Sequence, residues 1–122
     1  MNDYESARPI YLQIMEKIKS KIILGELEPG GKLLSIRDMA LKMGVNPNTM
    51  NRVYTELENE GIVETKRGLG TFIVEDTAIV ERLKDEVVDE RILNLVETLL
   101  ESGFSKQQIL SYIKTALERA KE

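Results

Sequence analysis

Polar side chains recur at helical spacing between Gly44 and Gly61, and their types suit the recognition of nucleic-acid bases. An amide such as that of Asn48 can bind adenine through two hydrogen bonds, and a guanidinium such as that of Arg52 can bind guanine in the same way. One face of the predicted helix carries Asn48, Arg52, Thr55 and Asn59, and its first turn and edges carry Asn46, Thr49 and Asn51. Because any exposed helix face is usually polar, this segment taken alone favours base reading and simple solvation equally.

Arg37 is a second candidate for contacts with nucleic acid. It lies in the first turn of a predicted helix that Ser35 begins, where a guanidinium can bind a phosphate or reach a base. The alternative is a surface ion pair with Asp38 or Glu28, and Arg37 considered by itself favours that alternative.

The loop KRGLG, residues 66–70, is a third candidate. Lys66 and Arg67 can bind phosphates or enter the minor groove, while Gly68 and Gly70 let the backbone come close because they carry no Cβ. An ordinary basic hairpin tip has the same composition. All three candidates, however, fall where one winged-helix fold would place them on one surface, which makes coincidence the weaker explanation.

Composition excludes much other chemistry. The chain has no Cys and no His, so it lacks a disulfide, a thiolate nucleophile and an imidazole that could act as a base or metal ligand. We therefore predict no enzyme activity, no metal site and no cofactor. The net charge is −4, yet basic residues outnumber acidic ones in the span 32–52, so positive charge is concentrated locally. The lack of a long apolar run and of a signal-peptide pattern predicts a cytoplasmic protein that does not enter the membrane.

The elements that must position these residues predict a mainly helical α+β fold. Isoleucine at every fourth position indicates the first helix, and turn and cap signals such as Pro29 and Gly44 separate it from two more. β-Branched and aromatic residues on both sides of the basic loop indicate a β-hairpin. This order is that of a winged helix-turn-helix domain, assigned to residues 1–76; a three-helix bundle with an isolated hairpin has the same elements but gives the loop no purpose. The predicted helices cover 9–24, 35–44 and 46–61.

Residues 77–122 predict a two-helix C-terminal region. A long helix runs from Thr77 to Glu101, and Ser105 with Gln108 forms a capping box that begins the last helix. Two helices cannot bury both of their apolar stripes against each other, so the surplus should dock on a partner chain or on the first domain. The predicted dimerisation residues are Val88, Ile92, Leu95, Val96, Leu99, Ile109, Ile113 and Leu117.

The segment from residue 9 to residue 74 resembles the GntR family of bacterial transcription regulators, and the whole layout resembles its small YtrA-type subgroup. The matching motifs are the G-x-L-x-P-G turn, the S-x-R start of the second helix, the G-V…N-T…Y-x-x-L-x-x-x-G helix and the R-G-x-G-T-F wing. The resemblance implies a dimeric winged-helix domain that holds operator DNA with Arg37, the helix from Asn46 and the wing around Gly70. Leu34 stands where the family commonly has Pro, and Pro47 and Asn51 stand where many members have Arg, so base preference does not transfer from relatives.

We therefore predict a homodimeric, sequence-specific DNA-binding regulator that reads a two-fold related, double-stranded operator, with repression favoured over activation. A small-molecule effector near the dimer interface would release the operator. The alternative is a winged-helix module that binds protein and never DNA; salt separates the two, because binding through phosphates weakens steeply as salt rises. The predicted DNA-binding residues are Ser35, Arg37, Asn46, Asn48, Thr49, Asn51, Arg52, Lys66, Arg67, Gly68, Gly70 and Thr71.

Overall fold

The computed structural model describes Tyr4 and residues 7–120, and it confirms the mainly helical α+β fold with an antiparallel hairpin. Two compact units make up the chain, one ending at Leu83 and the other beginning at Lys84. The first elements are α1 (Ile10–Ile23), α2 (Ile36–Met43), α3 (Pro47–Asn59), β1 (Val63–Lys66) and β2 (Gly70–Ile73). They are followed by α4 (Ala78–Val87), a π-helical turn (Val88–Ile92), α5 (Leu93–Glu101) and α6 (Lys106–Arg119).

The core of the first unit follows the predicted apolar stripes. Ile14, Ile18 and Ile22 of α1 are buried. The same holds for four residues of α3 whose spacing of i, i+3, i+4 and i+7 places them on one helical face, namely Met50, Val53, Tyr54 and Leu57. Ile10 begins the α1 stripe in the sequence but remains 38% exposed at the start of that helix. The core cluster also takes in Ile79 from α4.

The first unit extends beyond residue 76, where the sequence places the domain boundary. Ile79 and Leu83 are both buried in the cluster that α1 and α3 form, with exposures of 3% and 1%. The beginning of α4 therefore belongs to the winged-helix unit, since removing it would expose the apolar side chains that it covers.

The turn between α2 and α3 is built by cap residues. The Ser35 hydroxyl accepts a hydrogen bond from the Asp38 N–H at 3.1 Å, and the Asn46 side chain accepts one from the Thr49 N–H at 2.8 Å. Gly44 ends α2 with φ at +71°, a left-handed conformation that Gly adopts without the strain of a Cβ. Two helices joined this tightly form the predicted helix-turn-helix.

A hydrogen bond from α3 secures the start of α2. The buried Tyr54 hydroxyl donates to the Leu34 carbonyl at 2.6 Å, and burial raises the pKa of Tyr54 above its ordinary value. The phenol thus remains protonated and able to donate. Leu34 supplies this acceptor from its main chain, so the bond does not depend on the side chain at this position.

A third segment of backbone pairs with the hairpin, and the sequence pattern does not predict it. β1 and β2 pair antiparallel, with Thr65 opposite Thr71. Lys32 then bridges Phe72 on the other edge of β2, where the Leu33 N–H donates to the Thr71 carbonyl at 2.8 Å. The residues after the Pro-Gly-Gly turn therefore act as a short third strand, which joins the wing to the segment that leads into α2.

The second unit is helical, as predicted, but its long helix is not regular. A π-helical turn over Val88–Ile92 separates α4 from α5, so the prediction of one uninterrupted α-helix from Thr77 to Glu101 is wrong at this point. A π turn accommodates an additional residue and rotates the following side chains relative to an α-helical wheel. The capping box of Ser105 and Gln108 is present at the start of α6. Within residues 7–120, no helix is both long enough and apolar enough to cross a membrane.

Candidate nucleic-acid interface

An open groove of about 360 Å³ lies beside the first turns of α3. Four of the residues predicted to read DNA line it together with two residues from the start of α1. The free N–H groups and the dipole at the start of a helix favour an anion such as phosphate. The groove is lined by Ile10, Tyr11, Asn46, Asn48, Thr49 and Arg52.

Arg52 is stacked on an aromatic ring of α1 that no local sequence pattern connects with it. Its guanidinium carbon lies 3.7 Å from the centroid of the Tyr11 ring, a cation–π arrangement. The Arg52 side chain remains exposed, while Tyr11 is half-buried and also packs against the core. The contact therefore joins a candidate base-reading side chain to the rigid body of the domain.

The remaining polar residues of α3 are accessible to a ligand. Asn48, Asn51 and Thr55 are exposed, Thr49 is half-buried, and Pro47 occupies the first helical turn where its missing N–H costs no helical hydrogen bond. Pro47 and Asn51 carry no charge, although they stand where the family that the sequence resembles often has Arg. The cationic side chain on the outer part of α3 is thus Arg52.

Arg37 is exposed in the first turn of α2. Among the residues that the structure describes, it forms no ion pair with Asp38 or Glu28, the alternative that the sequence left open. Ser35 directs its oxygen to the Asp38 N–H, so its hydroxyl proton remains able to donate. This end of α2 thus presents donors to solvent.

The two cations of the wing have different surroundings. The Lys66 ammonium lies 3.8 Å from Glu64 Oε1 and 3.8 Å from Glu75 Oε1, and 4.8 Å from the centroid of the Phe72 ring. Arg67, one residue further on, is exposed and pairs with no acid in the described part of the chain. Arg67 is therefore the more available cation at the wing tip, a distinction that their adjacent positions in the sequence do not reveal.

The wing loop needs its glycines for different reasons. The Leu69 N–H donates to the Lys66 carbonyl at 2.9 Å and closes the loop, with Gly68 at φ +79°. Gly70 has φ +119°, and a Cβ there would lie 2.9 Å from Lys32 Cε. Thr71, the last residue of the predicted set, is half-buried in β2.

Acidic residues at the end of α3 hold the wing and α1 in place. Glu58 Oε2 accepts a hydrogen bond from the Thr65 N–H at 3.0 Å, which ties β1 to α3. Glu60 Oε1 lies 2.8 Å from Lys19 Nζ. The sequence pattern reveals neither contact, because each forms only when α3 packs against another element of the fold.

The second unit leaves much apolar surface uncovered. Most of the predicted dimerisation residues are exposed or half-buried, but Ile109 is only 4% exposed and is thus already buried within the single chain. Val88, Ile92, Leu95 and Leu117 are 50%, 53%, 48% and 69% exposed, and Val96, Leu99 and Ile113 are half-buried. Exposed apolar residues outside the predicted set are Leu93, Leu100, Phe104, Leu110 and Tyr112. Phe104 and Tyr112 contact each other edge to face, with centroids 5.8 Å apart.

Comparison with known proteins gives concordant matches over the sequence and the fold. The family model described as bacterial regulatory proteins, gntR family, matches residues 10–73. The HTH-type transcriptional regulator YhcF of Bacillus subtilis (strain 168) is 47% identical over 117 residues, which cover 96% of this chain and 97% of YhcF. The HTH-type transcriptional repressor YtrA of the same organism is 39% identical over 114 residues, covering 92% and 87% of the two chains.

Solved structures include a similar fold and a related domain bound to DNA. A GntR family transcriptional regulator from Listeria monocytogenes has a TM-score of 0.86 and 36% identity, covering 92% of this chain and 98% of that one. The DNA-binding domain of AraR in complex with operator ORR3 has a TM-score of 0.51 and 29% identity, covering 54% and 80%.

Proposed function

Because this chain belongs to the GntR family and is a DNA-binding transcription regulator of the YtrA type, we propose that it represses transcription as a homodimer on a two-fold related operator. The observation that carries the proposal is the groove at the start of α3, where Asn46, Asn48, Thr49 and Arg52 meet. These are the side-chain types that read base edges in the major groove. Since the DNA that it binds is chromosomal, we place the protein in the cytoplasm.

Some residues around the groove bind bases and others bind phosphates. Asn48, Asn51 and Arg52 read bases when the first turns of α3 enter the major groove. Arg37 and Arg67 bind phosphates on either side, since both are exposed cations without an ion pair among the described residues. Gly68 and Gly70 let the wing backbone approach the minor groove. Ser35 and Thr71 add hydroxyl donors near these backbone contacts.

The exposed apolar surface of the second unit supports a homodimer. Large apolar side chains such as Ile92 and Leu117 are more than half exposed, and continuous apolar surface on a small protein usually marks an interaction site. A two-fold contact between identical surfaces would present two α3 helices to two operator half-sites. Occupancy of a promoter by that dimer blocks transcription, and a small effector bound near the dimer interface relieves the block.

Selection of bound sites from a random DNA pool tests the proposal. We expect a two-fold related consensus and an affinity for it that falls steeply as salt rises. Arg52→Ala should reduce the preference for the selected site over random DNA by about 1–3 kcal/mol, as expected for a lost base contact. Lys21→Ala is the matched control, because Lys21 lies about 15 Å along α1 from Tyr11 at 1.5 Å per residue.

Two outcomes would contradict the proposal, the first its DNA-binding function and the second its assignment of Arg52. Recovery of no enriched site, with affinity insensitive to salt, would indicate a winged-helix module that binds protein instead. Equal effects of Arg52→Ala on selected and random DNA would reject base reading by Arg52. The effector is tested separately, by titrating the operator complex with candidate metabolites.

A further inference from the structure

The contact between Tyr11 and Arg52 lies inside the groove where α1 meets α3. Both residues line the groove, and the guanidinium carbon is 3.7 Å from the ring centroid. Tyr11 is half-buried and packs against the buried core, so its ring is a fixed platform. Arg52 by contrast is exposed on α3 and would otherwise sample many rotamers.

We propose that Tyr11 is a positioning residue that holds the Arg52 guanidinium in place for sequence-specific DNA binding. This inference rests on the function proposed above. Stacking uses the flat face of the guanidinium and leaves its N–H donors free in the plane of the group. Those donors are the ones that bind guanine O6 and N7 as a pair. Holding the group in place before DNA arrives reduces the side-chain entropy lost on binding, so Tyr11 increases affinity without touching a base.

The neighbours of Arg52 show why its direction matters. Asn48 and Thr49 line the same groove one turn earlier on α3, and Ile10 lines it from α1. A guanidinium fixed on Tyr11 therefore lies at a set position relative to the amide of Asn48. Loss of the platform would let Arg52 swing toward any nearby phosphate, and selectivity would fall more than total affinity.

A double-mutant cycle on the full chain tests the inference, using the site selected from the random pool and a random duplex as probes. Tyr11→Leu should reduce the preference for the selected site by about two- to fivefold per subunit, the scale of an exposed cation–π contact. Tyr11→Phe retains the ring and should behave like the parent protein. In the Arg52→Ala background, Tyr11→Leu should cause no further loss.

The outcomes separate this inference from the proposed function. Enrichment of a site together with equal effects of Tyr11→Leu in both backgrounds would overturn the positioning role and leave the proposed function intact. Failure to enrich any site would overturn both. A further measurement needs no DNA: ring-current shifts of the Arg52 δ protons should be present in the free protein and absent in Tyr11→Leu, and their absence from the parent protein would overturn the stack. Thermal unfolding identifies any variant that fails to fold.

Discussion

Replacing Lys66 and Arg67 in turn tests whether neighbouring carboxylates reduce the contribution of a cation to DNA affinity. Lys66 and Arg67 are adjacent, and the sequence assigns both to phosphates. The Lys66 ammonium has carboxylate oxygens of Glu64 and Glu75 at 3.8 Å, whereas Arg67 pairs with no acid in the described part of the chain. We expect Arg67→Ala to weaken binding to operator and random DNA by more than Lys66→Ala does.

The size of the difference between the two variants follows from the ion pairs that each cation must break before it binds a phosphate. The three side chains of the Lys66 cluster are 39–76% exposed, so each ion pair is worth about 0.2–1 kcal/mol. A phosphate must compete with both carboxylates for Lys66, and fewer salt ions are released as a result. Each phosphate contact contributes about 0.9 to the slope of log affinity against log salt, so Arg67→Ala should lower the slope by about 1.8 for a dimer with two wings. Lys66→Ala should lower it less than half as much.

Fluorescence anisotropy on a random-sequence duplex over a series of KCl concentrations measures these slopes. Glu75→Gln provides the complementary change, because removing one competing charge should strengthen binding to any DNA. Thermal unfolding controls for loss of the Lys66 contact with Phe72, which lies 4.8 Å from the ammonium. Equal slope changes from Lys66→Ala and Arg67→Ala would refute the reasoning.

Substitutions at three further positions test the contacts and the turn that hold the interface together. Tyr54→Phe removes the hydrogen bond to the Leu34 carbonyl and should lower the free energy of unfolding by about 1 kcal/mol in neutral urea titrations. Because burial raises the pKa of Tyr54, the unfolded chain loses the phenol proton at a lower pH than the folded chain does. The free energy of unfolding of the parent protein should therefore fall as pH rises above about 10, and that of Tyr54→Phe should fall less. Parallel curves of unfolding free energy against pH for the two proteins would contradict this. Glu58→Ala removes the acceptor of the Thr65 N–H and should weaken binding to all DNA, whereas Glu58→Gln keeps an oxygen acceptor and should bind as the parent protein does. Equal losses of affinity from both changes in an anisotropy titration would argue against a role of Glu58 in positioning the wing. Gly44→Ala places a Cβ at φ +71° and should cost about 1 kcal/mol in thermal unfolding, whereas an unchanged midpoint would show that the turn relaxes.

The elements of the first unit could be predicted because their signals are local. Ser35 and Asn46 cap helices within three residues of themselves, and the inner face of α3 is set by the spacing of Met50, Val53, Tyr54 and Leu57. A cap or a helical stripe acts between neighbours in the chain, so a short window of sequence contains it. The structure gives α1 and α3 nearly the predicted bounds for this reason.

The contacts that organise the candidate site could not be predicted in the same way. Tyr11 meets Arg52, Lys32 bridges Phe72 and Glu58 accepts from Thr65 only after the helices and strands have packed. A helical wheel places Arg52 on the outer face, but it contains no information about which α1 residue lies beside it. The π turn at Val88–Ile92 cannot be predicted from its sequence either, since the apolar stripe around it also fits a regular helix.

The distribution of charge along α3 explains how an acidic chain can bind DNA. The part of α3 from Pro47 to Thr55 carries Arg52 and no acid, whereas Glu56, Glu58 and Glu60 follow near its end. At 1.5 Å per residue, Glu60 lies about 12 Å along the axis from Arg52, beyond the Debye length of about 8 Å at physiological salt. Glu60 is further compensated by Lys19 at 2.8 Å. Glu60 therefore contributes little to the charge that phosphates meet at the start of α3, and neutralising it should change DNA affinity far less than neutralising Arg52.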